Sequence, residues 1–239
     1  MARSKKERAK SLLLPKGFLM ARPVPIAVLI SGSGTNLQAI IDAVEAQRLD
    51  AKIQLVLSNR TEAYGLVRAK NHGIPVEVLD HKRFPSREAF DQAVVDILRA
   101  HDVELAVLAG FMRLLSPVFV SAYSNHIMNI HPALLPAFPG LDVQKKAVEH
   151  GVRFSGCTVH FVKEACDEGP IIIQAVVPVF PDDTEESLAA RILAQEHRIY
   201  PRAIQLYSEG RLRVEGRKVL VDGLSEKEHQ TLILPPLEG

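Results

Sequence analysis

The first regular segment of the chain is an unbroken apolar run at residues 26–30, followed at once by a glycine-containing stretch at 31–36 and helical spacing from 37 to 46. Such a run is typical of a strand that is buried on both faces of a sheet. This alternation of strand and helix then repeats with short connections. It predicts strands at 53–57, 76–79 and 105–109 and helices at 63–72 and 86–101. This alternation predicts an α/β fold with a doubly wound, mostly parallel, Rossmann-like sheet and helices on both faces.

The rhythm changes in the second half of the chain. A strand at 127–130 leads into a proline-rich stretch at 131–140, and two extended runs around Gly169-Pro170 predict an antiparallel pair. Asp183, with Glu186 three residues later, indicates a capping-box start for a long helix. The remaining predicted elements are a helix at 143–150, the extended runs at 156–162 and 171–179, the long helix at 184–200 with a kinked extension to about 210, and strands at 211–214 and 218–221. The C-terminal part is therefore expected to be antiparallel.

Composition narrows the class of protein and the domain organisation. A net charge of +1 argues against nucleic-acid or anionic-membrane binding, and two cysteines argue for a reducing, cytoplasmic location. No run approaches the roughly 20 apolar residues of a membrane span. We expect a disordered basic extension at 1–22, a single domain at 23–222 and a weakly ordered tail at 223–239. The oligomeric state is expected to be monomer or homodimer.

The glycine-containing stretch predicts an anion site. Glycines between a strand and a helix let backbone N–H groups approach an anion at the positive helix end. Leu37 stands where a dinucleotide-binding loop needs its third glycine, and Asn59 stands where that class needs an acid. We therefore expect one phosphate monoester at Gly34, Thr35 and Asn36. The alternative is that the glycines serve packing alone.

Asn129 and His131 are two residues apart at the end of a predicted strand, so their side chains share a face. A carboxamide donor and an imidazole at the carboxyl end of a strand suit acyl transfer, as oxyanion donor and proton carrier. The alternative is that His131 satisfies a nearby backbone group. Asp167 lies in a turn beside Gly169, where acids are common, and sequence spacing does not bring it to His131.

Five motifs occur along the chain at compatible spacing: VLISGSGTNLQ (28–38), LAGFMR (108–113), NIHPALLP (129–136), GCTVHFV (156–162) and DEGPII (167–172). Together they resemble the folate-dependent phosphoribosylglycinamide formyltransferases of purine biosynthesis. The resemblance covers roughly residues 25 to 222.

The resemblance implies the substrates and the residues that bind them. The formyl donor would be 10-formyltetrahydrofolate and the acceptor the amine of glycinamide ribonucleotide, with no metal. Asn129, His131 and Asp167 would be catalytic, and Gly34, Thr35 and Asn36 would hold the substrate phosphate. Folate would contact Arg87, Met112, Arg113, Leu114, Leu115, Asn129 and Val162. One departure is Asp142, where many members of the family carry histidine.

Glu196 interrupts a mostly apolar stripe formed by Ala189, Leu193 and Tyr200 on the long predicted helix. A carboxylate on such a face needs a partner or a ligand. The resemblance implies contact with the ribose hydroxyls of the substrate, and a salt bridge at the edge of the core is the alternative.

Four other functions compete with this interpretation. A zinc site could draw on His126, His131, Cys157, His160 and Cys166, although no Cys-x-x-Cys pair is present. Methionyl-tRNA formyltransferase is expected to need an RNA-binding domain after residue 221, and formyltetrahydrofolate hydrolase a regulatory domain before residue 25. A non-enzymatic binding module is disfavoured because acyl-transfer groups and an anion loop converge on one sheet edge.

Overall fold

A computed structural model describes residues 22–223, and the expected extension and tail lie outside this range apart from Arg22 and Gly223. These residues form a nine-stranded sheet with the strand order β3-β2-β1-β4-β5-β6-β7-β9-β8. The strands are β1 (Val24–Ile30), β2 (Ala51–Ser58), β3 (Val76–Val78), β4 (Leu105–Leu108), β5 (Ile127–His131), β6 (Phe154–Phe161), β7 (Ile171–Pro178), β8 (Leu212–Glu215) and β9 (Lys218–Val221).

The helices connect these strands in the order that the sequence predicts. They are α1 (Thr35–Glu45), α2 (Tyr64–Asn71), α3 (Arg87–Ala100), α4 (Pro117–Ala122), α5 (Val143–Glu149) and α6 (Glu185–Ser208), with a short 3-10 helix at His81–Arg83. The sequence did not predict α4 or the 3-10 helix. Among the described residues, no helix is long and apolar enough to cross a membrane.

The predicted fold class is confirmed. Strands β1 to β5 pair in parallel, whereas β5 with β6, β6 with β7, and β8 with β9 pair antiparallel. Alternate residues of β1 point to two separate apolar clusters, because Ile26 and Val28 pack with α1 and α6 while Ala27 and Leu29 pack with α3 and α4. Helices therefore cover both faces of the sheet.

The predicted start of the long helix is wrong by one residue. Thr184, not Asp183, is the N-cap of α6, and Ser187 completes the capping box through two hydrogen bonds of 3.0 and 3.2 Å. Asp183 instead forms an ion pair with Arg191 at 2.8 Å. The buried stripe of α6 is also shifted from the predicted one. Leu188 and Ile192 lie fully buried with Tyr200, whereas Ala189 and Leu193 are half-buried.

Candidate active site

The predicted site segments follow neighbouring strands. In the sheet, β1, β4 and β5 are adjacent and parallel, so the loops that leave their carboxyl ends lie at one sheet edge. These segments are the glycine-containing loop after β1, residues 109–116 after β4, and Asn129 with His131 at the end of β5. The sheet topology thus brings the predicted anion loop, folate loop and catalytic pair together.

His131 lies between a backbone carbonyl and a carboxylate. Its Nε2 is 2.9 Å from the Phe138 carbonyl oxygen, which only accepts, so Nε2 carries a proton. Its Nδ1 is 3.5 Å from Asp167 Oδ2, and both side chains are about nine-tenths buried. Both ring nitrogens of His131 therefore face oxygen acceptors.

Asp167 reaches His131 through the loop between β6 and β7. Its backbone has a φ of +56°, which aspartate tolerates better than most residues, and its Oδ2 accepts the Gly140 N–H at 3.0 Å. Gly169 allows the loop to fold this closely, since a Cβ there would lie 1.6 Å from the Phe161 carbonyl oxygen. The structure therefore supplies the proximity that sequence spacing did not.

His160 is a site residue whose role the sequence interpretation missed. Its Nδ1 is 2.9 Å from the Phe161 carbonyl oxygen and carries the proton, so its Nε2 accepts from Asn129 Nδ2 at 3.2 Å. Burial lowers the pKa of His160, which favours this neutral form. The two residues are directly opposed in the antiparallel pairing of β5 and β6, and only that register could have revealed the contact.

The predicted anion loop, residues 31–36, packs against α2 and leads into the uncapped N-terminus of α1. Gly34 has a φ of +70°, and a Cβ there would lie 2.6 Å from the Gly65 Cα, so packing alone accounts for this glycine. Within residues 22–223, no side chain caps the N-terminus of α1. The first N–H groups of α1, including those of Thr35 and Asn36, therefore face the loop at the positive end of the helix.

Glu196 is buried and pairs with Asn36, not with a cation. Asn36 Nδ2 donates to Glu196 Oε2 at 2.7 Å, and in the described part of the chain Asn36 Oδ1 is buried without a hydrogen-bond partner. Burial raises the pKa of Glu196, while the Asn36 hydrogen bond and nearby His131 oppose the rise. Within residues 22–223 no cation pairs with Glu196, so the salt-bridge alternative is not observed there. The pair leaves polar groups available beside the anion loop.

The predicted folate residues line one side of the same edge. Met112 and Leu114 are 62% and 60% exposed, whereas Leu115 and Val162 pack against the apolar cluster under α3. Arg113 lies over the Phe90 ring at 5.5 Å, and Arg87 begins α3. Asp142 occupies the N-cap position of α5 and has a φ of +56°.

The five candidate zinc ligands do not form one site. Those near Asp167 are His131, His160 and Cys166, at 3.5, 3.8 and 3.4 Å from its carboxylate oxygens. His126 directly precedes β5 and His131 ends it, so the two are about 16 Å apart along extended chain, and His126 contacts Tyr207. Cys157 lies in the apolar cluster under α6, and burial raises the pKa of its thiol to about 12. Within the described range, no group of three or more His, Cys, Asp or Glu residues is placed to hold a metal ion.

Comparison with known proteins defines the class. Residues 24–204 match the family model described as formyl transferase, and the chain belongs to that family.

Individual relatives are more specific. The chain is 46% identical over 198 residues to the phosphoribosylglycinamide formyltransferase of Escherichia coli strain K12, covering 83% of this chain and 93% of that protein. It is 53% identical over 190 residues to the trifunctional purine biosynthetic protein adenosine-3 of Drosophila pseudoobscura pseudoobscura, covering 79% of this chain and 14% of that protein. The crystal structure of glycinamide ribonucleotide transformylase 1 from Symbiobacterium toebii superposes with a TM-score of 0.83 at 54% identity, covering 84% of this chain and 94% of that one. The predicted resemblance is confirmed.

Proposed function

We propose that this chain, through a single domain at residues 23–222, transfers the formyl group of 10-formyltetrahydrofolate to the amine of glycinamide ribonucleotide. Family membership and the names of its relatives support formyl transfer in purine biosynthesis. The observation that carries the proposal is the buried contact of His131 with Asp167 beside Asn129, at the same sheet edge as an uncapped helix end.

The reaction needs one bond to form and one to break. The amine nitrogen of the acceptor attacks the formyl carbon, and the carbonyl electron pair moves to oxygen to give a tetrahedral oxyanion. Collapse restores the carbonyl and breaks the bond to N10 of the folate. One proton leaves the amine and one arrives at N10, so the products are the formamide and tetrahydrofolate.

Three side chains take part in these reaction steps. Asn129 has a second Nδ2 hydrogen besides the one directed at His160, and that hydrogen is free to donate to the oxyanion. His131 donates to the same oxygen after its Nε2 leaves the Phe138 carbonyl. Asp167 orients His131, directly or through water, and helps to move a proton from the attacking amine to N10.

The substrate contacts follow from the neighbouring loops. The phosphate lies at the N–H groups of Gly34, Thr35 and Asn36, and the ribose hydroxyls meet Glu196. Folate lies against Met112 to Leu115, Asn129 and Val162, with Arg87 at its glutamate end. Cys157 and Cys166 are both free thiols, which suits a reducing compartment, and we propose a cytoplasmic enzyme that is a monomer or homodimer.

The test is an absorbance assay of folate deformylation, with and without glycinamide ribonucleotide. Turnover that requires the amine supports the transferase, whereas deformylation in its absence indicates a hydrolase. His131→Ala and Asp167→Ala should each lose most activity and remain folded. His101→Ala, which removes a histidine at the end of α3, should retain activity. Equal activity in all three variants would refute the proposed catalytic roles.

A further inference from the structure

The loop after β4 is anchored at both ends by buried polar groups. The Met112 N–H donates to Ser31 Oγ at 2.8 Å, and the Ser116 N–H donates to Asp91 Oδ2 at 2.5 Å. Between these anchors, Met112 and Leu114 expose more than half of their surface. The loop thus offers apolar side chains to solvent while its backbone is held from beneath.

Burying the carboxylate of Asp91 lowers the stability of the fold, which calls for a reason beyond packing. Asp91 is 1% exposed on α3, one helical turn after Arg87. Burial raises its pKa, and hydrogen bonds from Ser116 and the charges of Arg113 and Arg87 oppose that rise. Replacing a buried charge with a well-packed apolar side chain is often neutral or stabilising, so stability alone gives little reason for a carboxylate here.

The surroundings of Asp91 show what the carboxylate does. Oδ2 fixes the end of the loop through the Ser116 N–H, and the charge acts on Arg113 within the loop. Among residues 22–223, Asp91 Oδ1 and Arg113 Nε are both buried without a hydrogen-bond partner. The carboxylate therefore fixes the loop at Ser116 through a hydrogen bond.

We propose that Asp91 is a positioning residue for folate binding, and this inference rests on the function proposed above. Asp91 does not touch the substrate. It fixes the backbone of residues 112–116, so that the exposed faces of Met112 and Leu114 meet the flat pterin ring of the donor. Asp91 and Arg87 are four residues apart on α3, so one face of this helix carries both the loop anchor and the residue at the proposed glutamate end.

The experiment compares steady-state kinetics for the two substrates. Asp91→Ala should raise KM for 10-formyltetrahydrofolate about tenfold, as expected for loss of a hydrogen bond to a charged group. KM for glycinamide ribonucleotide and kcat should stay within about twofold. Asp91→Asn keeps an acceptor for the Ser116 N–H and should restore most of the folate affinity, to about threefold above the wild-type KM.

Asp183→Ala is the matched control. Asp183 is also a nearly buried carboxylate that accepts a backbone N–H, but it lies at the start of α6. This variant should leave both KM values unchanged. Calorimetric titration with tetrahydrofolate provides a readout that does not depend on turnover.

Four outcomes would contradict the proposal or the function on which it rests. An equal rise in both KM values, or the same profile in Asp183→Ala, would overturn the inference. If Asp91→Ala fails to fold, Asp91→Leu, which fills the buried space but accepts nothing from the Ser116 N–H, takes its place, and an unchanged tetrahydrofolate affinity in that variant would overturn the inference. Wild-type protein that neither binds tetrahydrofolate nor transfers a formyl group would mean that the proposed function has failed, which is a separate outcome.

Discussion

Replacing His160 with leucine tests whether the orientation of the Asn129 amide limits formyl transfer. Neutral His160 accepts one Nδ2 hydrogen of Asn129 at 3.2 Å, and this contact directs the other hydrogen of the amide. Leucine fills a similar space but accepts nothing. The amide of Asn129 would then be free to rotate, and the oxyanion donor would no longer be fixed in advance.

The size of the effect is bounded on both sides. A neutral hydrogen bond contributes about 1 kcal/mol, which corresponds to roughly fivefold in rate. Loss of a whole oxyanion donor costs about 10²–10³ in kcat. A misdirected amide lies between these limits, so His160→Leu should lower kcat about tenfold to a hundredfold. KM for glycinamide ribonucleotide should change little, because the anion loop is untouched.

The assay is a double-mutant cycle on kcat. Asn129→Ala and His160→Leu should each lower kcat, and the double variant should be no slower than Asn129→Ala alone. His160→Gln offers an acceptor to the amide and should recover part of the loss. Multiplicative losses in the double variant would refute the argument, because they would show that His160 acts independently of Asn129.

Three further predictions concern Glu196, Gly169 and the response of His160 to pH. Since burial raises the pKa of Glu196, its ionised carboxylate lowers the free energy of unfolding at neutral pH. Glu196→Gln should therefore raise Tm by about 2–4 °C at pH 7.5 but not near pH 4. An unchanged melting curve would contradict this. The same variant should raise KM for glycinamide ribonucleotide. Gly169→Ala forces a Cβ to 1.6 Å from the Phe161 carbonyl oxygen, so it should displace Asp167 and abolish activity, and full activity would show that the loop adapts. Because burial lowers the pKa of His160, the imidazole is protonated at higher pH in the unfolded chain than in the folded one. The free energy of unfolding should therefore fall as the pH drops below about 6.5. His160→Leu should weaken this dependence in urea titrations at pH 5 and 7.5.

The order of elements was readable from the sequence because apolar runs and helical spacing report burial directly. The run that became β1 is buried at every position, as its composition predicts. The six-residue α4 was missed because so short a helix shows almost no periodicity. The cap of α6 was misplaced because Asp183, Thr184 and Ser187 are all good capping residues, and only the hydrogen bonds distinguish them.

The site was readable in part, for a different reason. Asn129 and His131 share one strand, so the alternation of side chains along a strand predicts that they lie on one face. Asp167 and His160 depend on strand register and on a folded-back loop, which are properties of long-range packing. The resemblance supplied Asp167, and the register supplied His160.

Ser31 shows how closely the two predicted substrate loops are joined. Its hydroxyl donates to Asn59 Oδ1 at 2.6 Å and accepts the Met112 N–H at 2.8 Å. One side chain at the end of β1 therefore fixes the start of the anion loop and also the start of the folate loop. Asn59, which argued against a dinucleotide because it is not an acid, has a structural use here as the acceptor for Ser31. Because the same hydroxyl makes both hydrogen bonds, the two loops are positioned relative to each other. The two proposed substrates therefore bind to parts of the chain that are held together.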